Sequence, residues 1–200
     1  MKKKILFCEG KNDVLFISEL LSNTNINYKI FPEKLIKNKT EQGVIISFKE
    51  FYSTNYDIII KEEGGKEKLF ESFNKILNNF LKNTIRENYI CVVIFDSDNV
   101  SFLSYKKKKQ LFKNYIIKHK ESYENTVNIY AMNMNIDRNK DKDIENIYFI
   151  EFCPSLEKII ENLTGIDIHN ISSEEERKDY IKKLITESNW IKNIMKILEI

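Results

Sequence analysis

The chain of 200 residues predicts one α/β domain, with a mainly parallel sheet flanked by helices and a C-terminal helical cap. Short apolar runs such as 5–8 and 90–95 are typical of buried strands. Amphipathic helical stretches, of which 66–82 is the clearest, lie between them. Strands that alternate with helices are joined by right-handed crossovers, which make the paired strands parallel. We place the α/β core at residues 1–130, and the last strand and C-terminal helices at residues 131–200, packed on the same domain.

The first half of the chain predicts four strands and two long helices. Asn12 is placed to cap the first helix, whose apolar residues recur at helical spacing. The pair Gly64-Gly65 is a strong turn signal and precedes the second helix. Residues 44–51 fit a strand and a helix equally well. The predicted strands are 5–8, 28–31, 56–60 and 90–95.

The second half predicts two more strands and four more helices. Pro154 fits the first turn of a helix, where no N–H group is needed. Ser172 and Glu175 form a capping box for the helix that follows. The predicted elements are a helix over 102–119, strands over 126–130 and 147–152 with a charged loop over 137–145 between them, and helices that begin near Pro154, Ser172 and Trp190.

Composition and charge exclude several classes of protein. The formal net charge of +2 gives no overall electrostatic attraction to nucleic acid, so any basic surface must be local. Cys8, Cys91 and Cys153 are widely spaced in apolar surroundings, which favours buried thiols of a reducing compartment over disulfides or a zinc site. The apolar run before Glu9 is too short for a signal peptide or a membrane span. We therefore expect a cytoplasmic protein with no membrane partner.

Two acidic clusters directly follow two of the predicted strands. Glu9 and Asp13 follow the strand at 5–8, and Asp96 and Asp98 follow the strand at 90–95. In an open α/β sheet, ligands bind beyond the carboxyl ends of the strands, where the strand order reverses. Clustered carboxylates resist ionising together unless a cation neutralises them, and their oxygens suit Mg²⁺ or Mn²⁺. The sequence thus predicts a divalent-metal site at this edge of the sheet.

Three segments together resemble the Toprim superfamily, the fold shared by topoisomerases, bacterial primases, ribosomal-RNA maturases and a group of nucleases. These segments are the run over 5–13, which contains Glu-Gly-Lys-Asn-Asp, the Gly-Gly-Lys at 64–66, and the run over 92–98, which ends in Asp-Ser-Asp. The resemblance covers roughly residues 4–130. It implies a Toprim-like (Rossmann-like) fold and Mg²⁺-dependent phosphoryl-transfer chemistry on nucleic acid, DNA or RNA.

The resemblance also implies a role for individual carboxylates. Glu9 corresponds to the family's glutamate, a general acid or base or a metal contact. Asp13 matches the acidic position one helical turn later and is a second catalytic candidate. Asp96 and Asp98 correspond to the paired aspartates that hold Mg²⁺. Some nuclease members add a glutamate after the fourth strand, and Glu157 in the pair Leu-Glu is the candidate for this metal ligand.

The chain departs from the larger members of the family. Asp98 is followed by Asn-Val-Ser and not by a glycine-containing continuation, and the chain lacks the additional domains of topoisomerases and primases. These departures argue against a topoisomerase or a full primase, and leave a small nuclease or a Toprim protein that has lost activity. Lys11, inside the first motif, is the candidate for contact with a substrate phosphate.

Two alternative functions remain at this stage. A haloacid-dehalogenase-like phosphatase would use Asp96 as nucleophile and Asp98 as general acid. That interpretation leaves Glu9 unexplained, and no later strand is followed by a convincing paired acidic motif. The second alternative is a catalytically inactive Toprim-like binding module, since a fold does not imply an activity. Strand-end carboxylates can also simply cap the following helices.

Overall fold

The computed structural model describes residues 3–31, 55–77, 89–98, 100–109, 111–112, 115–134 and 147–200. Within these ranges the chain forms seven strands and six α-helices. The elements are β1 (Lys3–Cys8), α1 (Lys11–Leu21), β2 (Tyr28–Phe31), β3 (Ile58–Glu62), α2 (Lys66–Ile76), β4 (Tyr89–Asp96), α3 (Phe102–Lys108), β5 (Tyr115–Tyr123), β6 (Val127–Met134), β7 (Ile147–Phe152), α4 (Leu156–Thr164), α5 (Glu174–Glu187) and α6 (Ile191–Leu198).

The seven strands form one mixed sheet in the order β2-β3-β1-β4-β7-β6-β5. The first five strands in this order pair in parallel, whereas β6 is antiparallel to both of its neighbours. The predicted mainly parallel α/β sheet is therefore confirmed. Central strands such as β1 and β4 are buried along nearly their whole length because both of their faces are covered, and the runs 5–8 and 90–95 within them are apolar.

The strand order reverses between β1 and β4. From β1 the chain passes to β2 and β3 on one side, and it later returns to β4 on the other side. Helices α1, α4, α5 and α6 pack in the apolar core on one face of the sheet, whereas α2 and α3 pack in the core on the opposite face. The carboxyl ends of β1 and β4 thus meet at a topological switch point, the usual ligand crevice of such sheets.

Aromatic packing fixes α2 and α3 against the sheet beside this crevice. The ring of Phe70 on α2 lies 5.0 Å from Phe95 on β4 and 5.8 Å from Phe102 on α3. Phe102 also stacks on Phe149 of β7 at 4.5 Å. These buried rings hold the first turns of both helices close to the end of β4, because each large ring contributes extensive apolar contact.

The C-terminal helices cover the other face of the sheet. α5 packs against α1, and the ring of Trp190 lies 6.0 Å from Phe16 of α1 and 5.9 Å from Phe152 of β7. Across the described ranges, none of the helices combines the length and the apolar character that crossing a membrane requires.

The helix predicted over 102–119 is wrong in its second half. α3 ends at Lys108, and residues 115–123 form β5, which pairs with β6 in an antiparallel hairpin. Three residues join the two strands, and Glu124 and Asn125 have φ angles of 48° and 58°, the left-handed values found in tight hairpin turns; the N–H of Thr126 closes the turn on the carbonyl of Tyr123 at 2.8 Å. The hairpin forms because β5 completes backbone hydrogen bonds with β6, a tertiary contact that helical periodicity does not report.

Two helix starts also differ from the predictions. Pro154 lies before α4, because the hydroxyl of Ser155 caps that helix and Leu156 is its first residue. Ser173, and not Ser172, caps α5. The strands predicted at 5–8, 28–31, 90–95 and 147–152 are confirmed, and those at 56–60 and 126–130 are present with shifted ends. The segments 44–51 and 137–145, and the end of the helix predicted over 66–82, lie outside the described residues.

Glu151 is expected to be essential for stability, because it is fully buried and accepts from three donors. These donors are the N–H of Phe102 at 2.5 Å, the hydroxyl of Tyr130 at 2.7 Å and the amide of Asn128 at 2.8 Å. Glu151→Ala should lower the free energy of unfolding by on the order of 3 kcal/mol, since each buried donor left unsatisfied is costly. Urea unfolding followed by circular dichroism measures this. Tyr130→Phe, which removes one donor only, should cost clearly less; equal costs would contradict the prediction.

Candidate metal centre

Glu9 joins three chain segments at the end of β1. Its N–H donates to the carbonyl of Ile94 at 3.1 Å, and its carbonyl accepts from the N–H of Gly65 at 2.9 Å. Its carboxylate oxygen Oε2 accepts from the N–H of Asp96 at 3.1 Å. The parallel register of β1 and β4 produces this contact, because Cys8 lies opposite Ile94 and each strand ends within two residues of that pair.

Asp13 lies in the first turn of α1 and is only 4% exposed. Its oxygen Oδ2 accepts from the N–H of Gly10 at 2.9 Å, and Gly10 occupies the N-cap position. The prediction that Asn12 caps this helix is therefore wrong. An acidic side chain in a first turn is favoured by the helix dipole. The other oxygen of Asp13 accepts no hydrogen bond from any described residue.

Asp96 ends β4 and faces the start of α4. Its oxygen Oδ1 accepts from the N–H of Leu156 at 2.9 Å, so it satisfies one of the free N–H groups in the first turn of that helix. No residue in the described ranges donates to its second oxygen, Oδ2. Asp96 is thus held in place by one oxygen and presents the other.

Asp98 lies on the rim of the site. Its side chain is 63% exposed, and its oxygen Oδ2 lies 3.4 Å from Nζ of Lys66. Its φ angle is 53°, a left-handed conformation that aspartate tolerates better than most residues. The N–H of Asp98 donates to the carbonyl of Pro154 at 3.0 Å, which ties the turn after β4 to the segment after β7.

The structure adds Lys66 to the predicted site residues. Lys66 begins α2 and is only 12% exposed. Its Nζ donates to the main-chain carbonyl of Asp96 and to that of Ser97 at 2.9 Å. The Gly-Gly-Lys segment contributes a turn signal and part of the family resemblance, but it assigns no role to Lys66, because nothing in the sequence places this turn beside β4.

Glu157 and Lys11 differ in their relation to the site. Glu157, in the first turn of α4, is half-buried and accepts from the side-chain amide of Asn12 at 2.7 Å. This contact joins the first turn of α4, where Leu156 binds Asp96, to the first turn of α1, which carries Asp13. Lys11 is exposed and contacts none of the carboxylates within the described part of the chain.

Crowding and burial perturb the three inner carboxyl groups. Burial, with the neighbouring charge of Glu157 next in importance, raises the pKa of Asp96 to about 8. Burial and the charge of Asp96 hold the pKa of Asp13 well above its usual range. Burial also raises the pKa of Glu9, although the N–H of Asp96 opposes this. Each of these carboxyl groups, when ionised, therefore makes the ionisation of its neighbours less favourable.

The donor chemistry of this cluster fits a divalent cation, since these carboxylates lie close enough to disfavour one another's ionisation. Glu9, Asp13 and Asp96 form the centre, with Glu157 beside them and Asp98 on the rim. As the side chains stand, no group of three or more His, Cys, Asp or Glu residues in the described ranges is arranged to hold a metal ion. Two further candidate ligands are occupied by other contacts, Asp98 by Lys66 and Glu157 by Asn12.

No protein-family model, no curated protein and no solved structure matches this chain.

Asp96→Asn should stabilise the metal-free protein in a pH-dependent way. The pKa of Asp96 is raised from 3.8 to about 8, so the folded state binds its proton more tightly than the unfolded state does. This contribution to stability is fully present below pH 4 and is lost as the pH rises towards 8. The melting temperature of Asp96→Asn relative to wild type should therefore increase from pH 4 to pH 8, measured in EDTA. A difference that stays constant with pH would contradict the assignment.

Glu157→Gln should lower the pKa of Asp96, because the charge of Glu157 is the strongest of the neighbouring charges that raise it. Glutamine keeps the acceptor for Asn12, so the contact between α4 and α1 should persist. Carbon-detected NMR titration of the Asp96 carboxyl group measures the shift. Glu161→Gln is the matched control, since Glu161 lies one turn later on α4 and pairs with Lys158 at the surface. An unchanged titration in Glu157→Gln would show that the two charges are not coupled.

Proposed function

We propose that this protein is a Mg²⁺-dependent or Mn²⁺-dependent enzyme that acts on phosphodiesters of nucleic acid, a small Toprim-like nuclease. The observation that carries the proposal is the meeting of Glu9, Asp13 and Asp96 at the switch point of the sheet. Their raised pKa values make this arrangement costly unless a cation balances the charge. A protein that retains such a cluster at its ligand crevice is well suited to metal-assisted chemistry.

These carboxylates have two candidate roles, which are to hold a metal and to move a proton, and Glu9 is a candidate for both. Asp96 and Asp98, with Glu9 and Glu157, are the candidate ligands. A bound divalent cation would supply Lewis-acid polarisation of the phosphate and stabilise charge on the departing oxygen. Glu9 and Asp13 are the candidate general acid or base, because raised pKa values bring their proton exchange closer to neutral pH.

The phosphatase alternative is less well supported by the geometry. It requires Asp96 as the nucleophile, and one oxygen of that side chain, Oδ1, is already bound to the N–H of Leu156. It also assigns no role to Glu9 or Asp13, although both lie beside Asp96. A metal-dependent nuclease mechanism gives a role to Glu9, Asp13 and Asp96 together.

Asp96→Ala should abolish metal-dependent cleavage of DNA or RNA, with a loss of at least about 100-fold, since it removes a central ligand. The assay compares wild type and variant on single-stranded and double-stranded oligonucleotides, with Mg²⁺, Mn²⁺ or EDTA. A metal-dependent rise in melting temperature should disappear in the same variant. Glu161→Gln, which changes a surface carboxylate outside the cluster, should behave as wild type.

The outcomes separate the three candidate functions. Hydrolysis of p-nitrophenyl phosphate without cleavage of any oligonucleotide would favour the phosphatase. A metal-dependent thermal shift without either activity would favour a binding module. Cleavage by Asp96→Ala at the wild-type rate would place the active site elsewhere.

A further inference from the structure

Lys66 is the cation that reaches into the carboxylate cluster. Its Nζ donates to the main-chain carbonyl groups of Asp96 and Ser97 and lies 3.4 Å from Oδ2 of Asp98. An ammonium group has three N–H donors, so these three acceptors use all of them. Lys66 therefore contacts every residue of the turn 96–98.

This turn carries both paired aspartates. Its N–H groups are bound by other segments, whereas its carbonyl groups at Asp96 and Ser97 accept from Lys66. The three N–H groups of the turn donate to Glu9, to the carbonyl of Phe152 at the end of β7, and to the carbonyl of Pro154. Of the carbonyl groups at Asp96 and Ser97, only that of Ser97 has a second described donor, the N–H of Val100 at 2.9 Å. Asp98 also holds a left-handed backbone conformation, which needs support from its surroundings.

Lys66 is itself held in place and is not a free surface lysine. The turn that precedes it is tied to β1, because the N–H of Gly65 donates to the carbonyl of Glu9 at 2.9 Å. Its Nζ also lies 5.7 Å from the ring centre of Phe95 and 5.8 Å from that of Tyr105, within the range of cation–π attraction. The side chain is thus ordered before any ligand arrives.

We infer that Lys66 is a positioning residue that holds the turn 96–98 in the conformation that presents Asp96 and Asp98 to a divalent cation. The part of this inference that concerns the cation rests on the proposed function, whereas the part that concerns the turn rests on the contacts alone. The contact with Asp98 is at 3.4 Å and exposed, so that carboxylate can rotate towards a cation while the two main-chain contacts persist.

The direction in which one substitution at Lys66 changes the affinity for a cation distinguishes a positioning role from a purely electrostatic one. Lys66→Met keeps an unbranched side chain but removes the charge and the donors. Loss of a nearby positive charge, by itself, strengthens the binding of a cation. Loss of a group that orients metal ligands weakens it, typically by 10-fold to 100-fold. We therefore expect Lys66→Met to bind Mn²⁺ at least about 10-fold more weakly than wild type.

The experiment is calorimetric titration of the full chain with Mn²⁺. Lys66→Arg keeps the charge and several donors and should recover most of the affinity. Lys107→Met removes the same charge from an exposed side chain on α3 and should change the affinity by less than about twofold. Leu198→Ala controls for lost stability, because Leu198 is buried near Glu199, which pairs with Lys4 at the opposite end of β1.

Amide hydrogen exchange at Ser97 and Asp98, followed by NMR, gives a readout that needs no metal. Exchange should be faster in Lys66→Met and return towards wild type in Lys66→Arg. Unchanged or tighter Mn²⁺ binding in Lys66→Met, or an equal loss in Lys107→Met or Leu198→Ala, would overturn the inference. If wild type binds no Mn²⁺, the proposed function fails, and the exchange rates alone decide whether Lys66 holds the turn; unchanged rates would refute it.

Discussion

The parallel pairing of β1 with β4 is the constraint on which the rest of the site depends. It brings Glu9 to the main-chain N–H of Asp96, although 87 residues separate them in the chain. Because β1 is also the strand at which the sheet order reverses, the helices after β1 and β3 leave on opposite faces and keep the crevice open. The carboxylates could not meet if either strand paired in another register.

The electrostatic repulsion between these carboxylates is offset by partial positive charges at two helix ends and by one full positive charge. The N–H groups of Gly10, the N-cap of α1, and of Leu156, the first residue of α4, donate to Asp13 and Asp96, and the positive ends of these helices favour negative charge there. Lys66 supplies a full positive charge from the other face of the sheet. The raised pKa values of Asp13 and Asp96 show that this compensation is incomplete. An incompletely neutralised cluster is what a site for an exchangeable cation requires, whereas complete pairing would exclude the ion.

The segment from Glu151 to Glu157 organises the site although it contributes one candidate ligand only. Carbonyl groups of Phe152 and Pro154 accept from the N–H groups of Ser97 and Asp98, and Glu151 accepts from the first residue of α3. Both ends of the loop that carries Asp98 are thus fastened to β7 or to its continuation. Stability and function are coupled here, because the buried contacts of Glu151 and the geometry of the acidic turn share one strand.

The sequence by itself determined the α/β class, most of the parallel strands and the location of the acidic groups at strand ends. These features are local, because an apolar run indicates a buried strand, and a carboxylate that directly follows the run lies at the carboxyl end of that strand. The β5–β6 hairpin, the cap of α1 at Gly10 and the contact of Asn12 with Glu157 were decided by tertiary structure. So was the place of Lys66, since only the packing of α2 across β1 brings its ammonium group to the turn after β4. Interactions between distant segments depend on strand order and helix packing, and no periodicity along the chain encodes them.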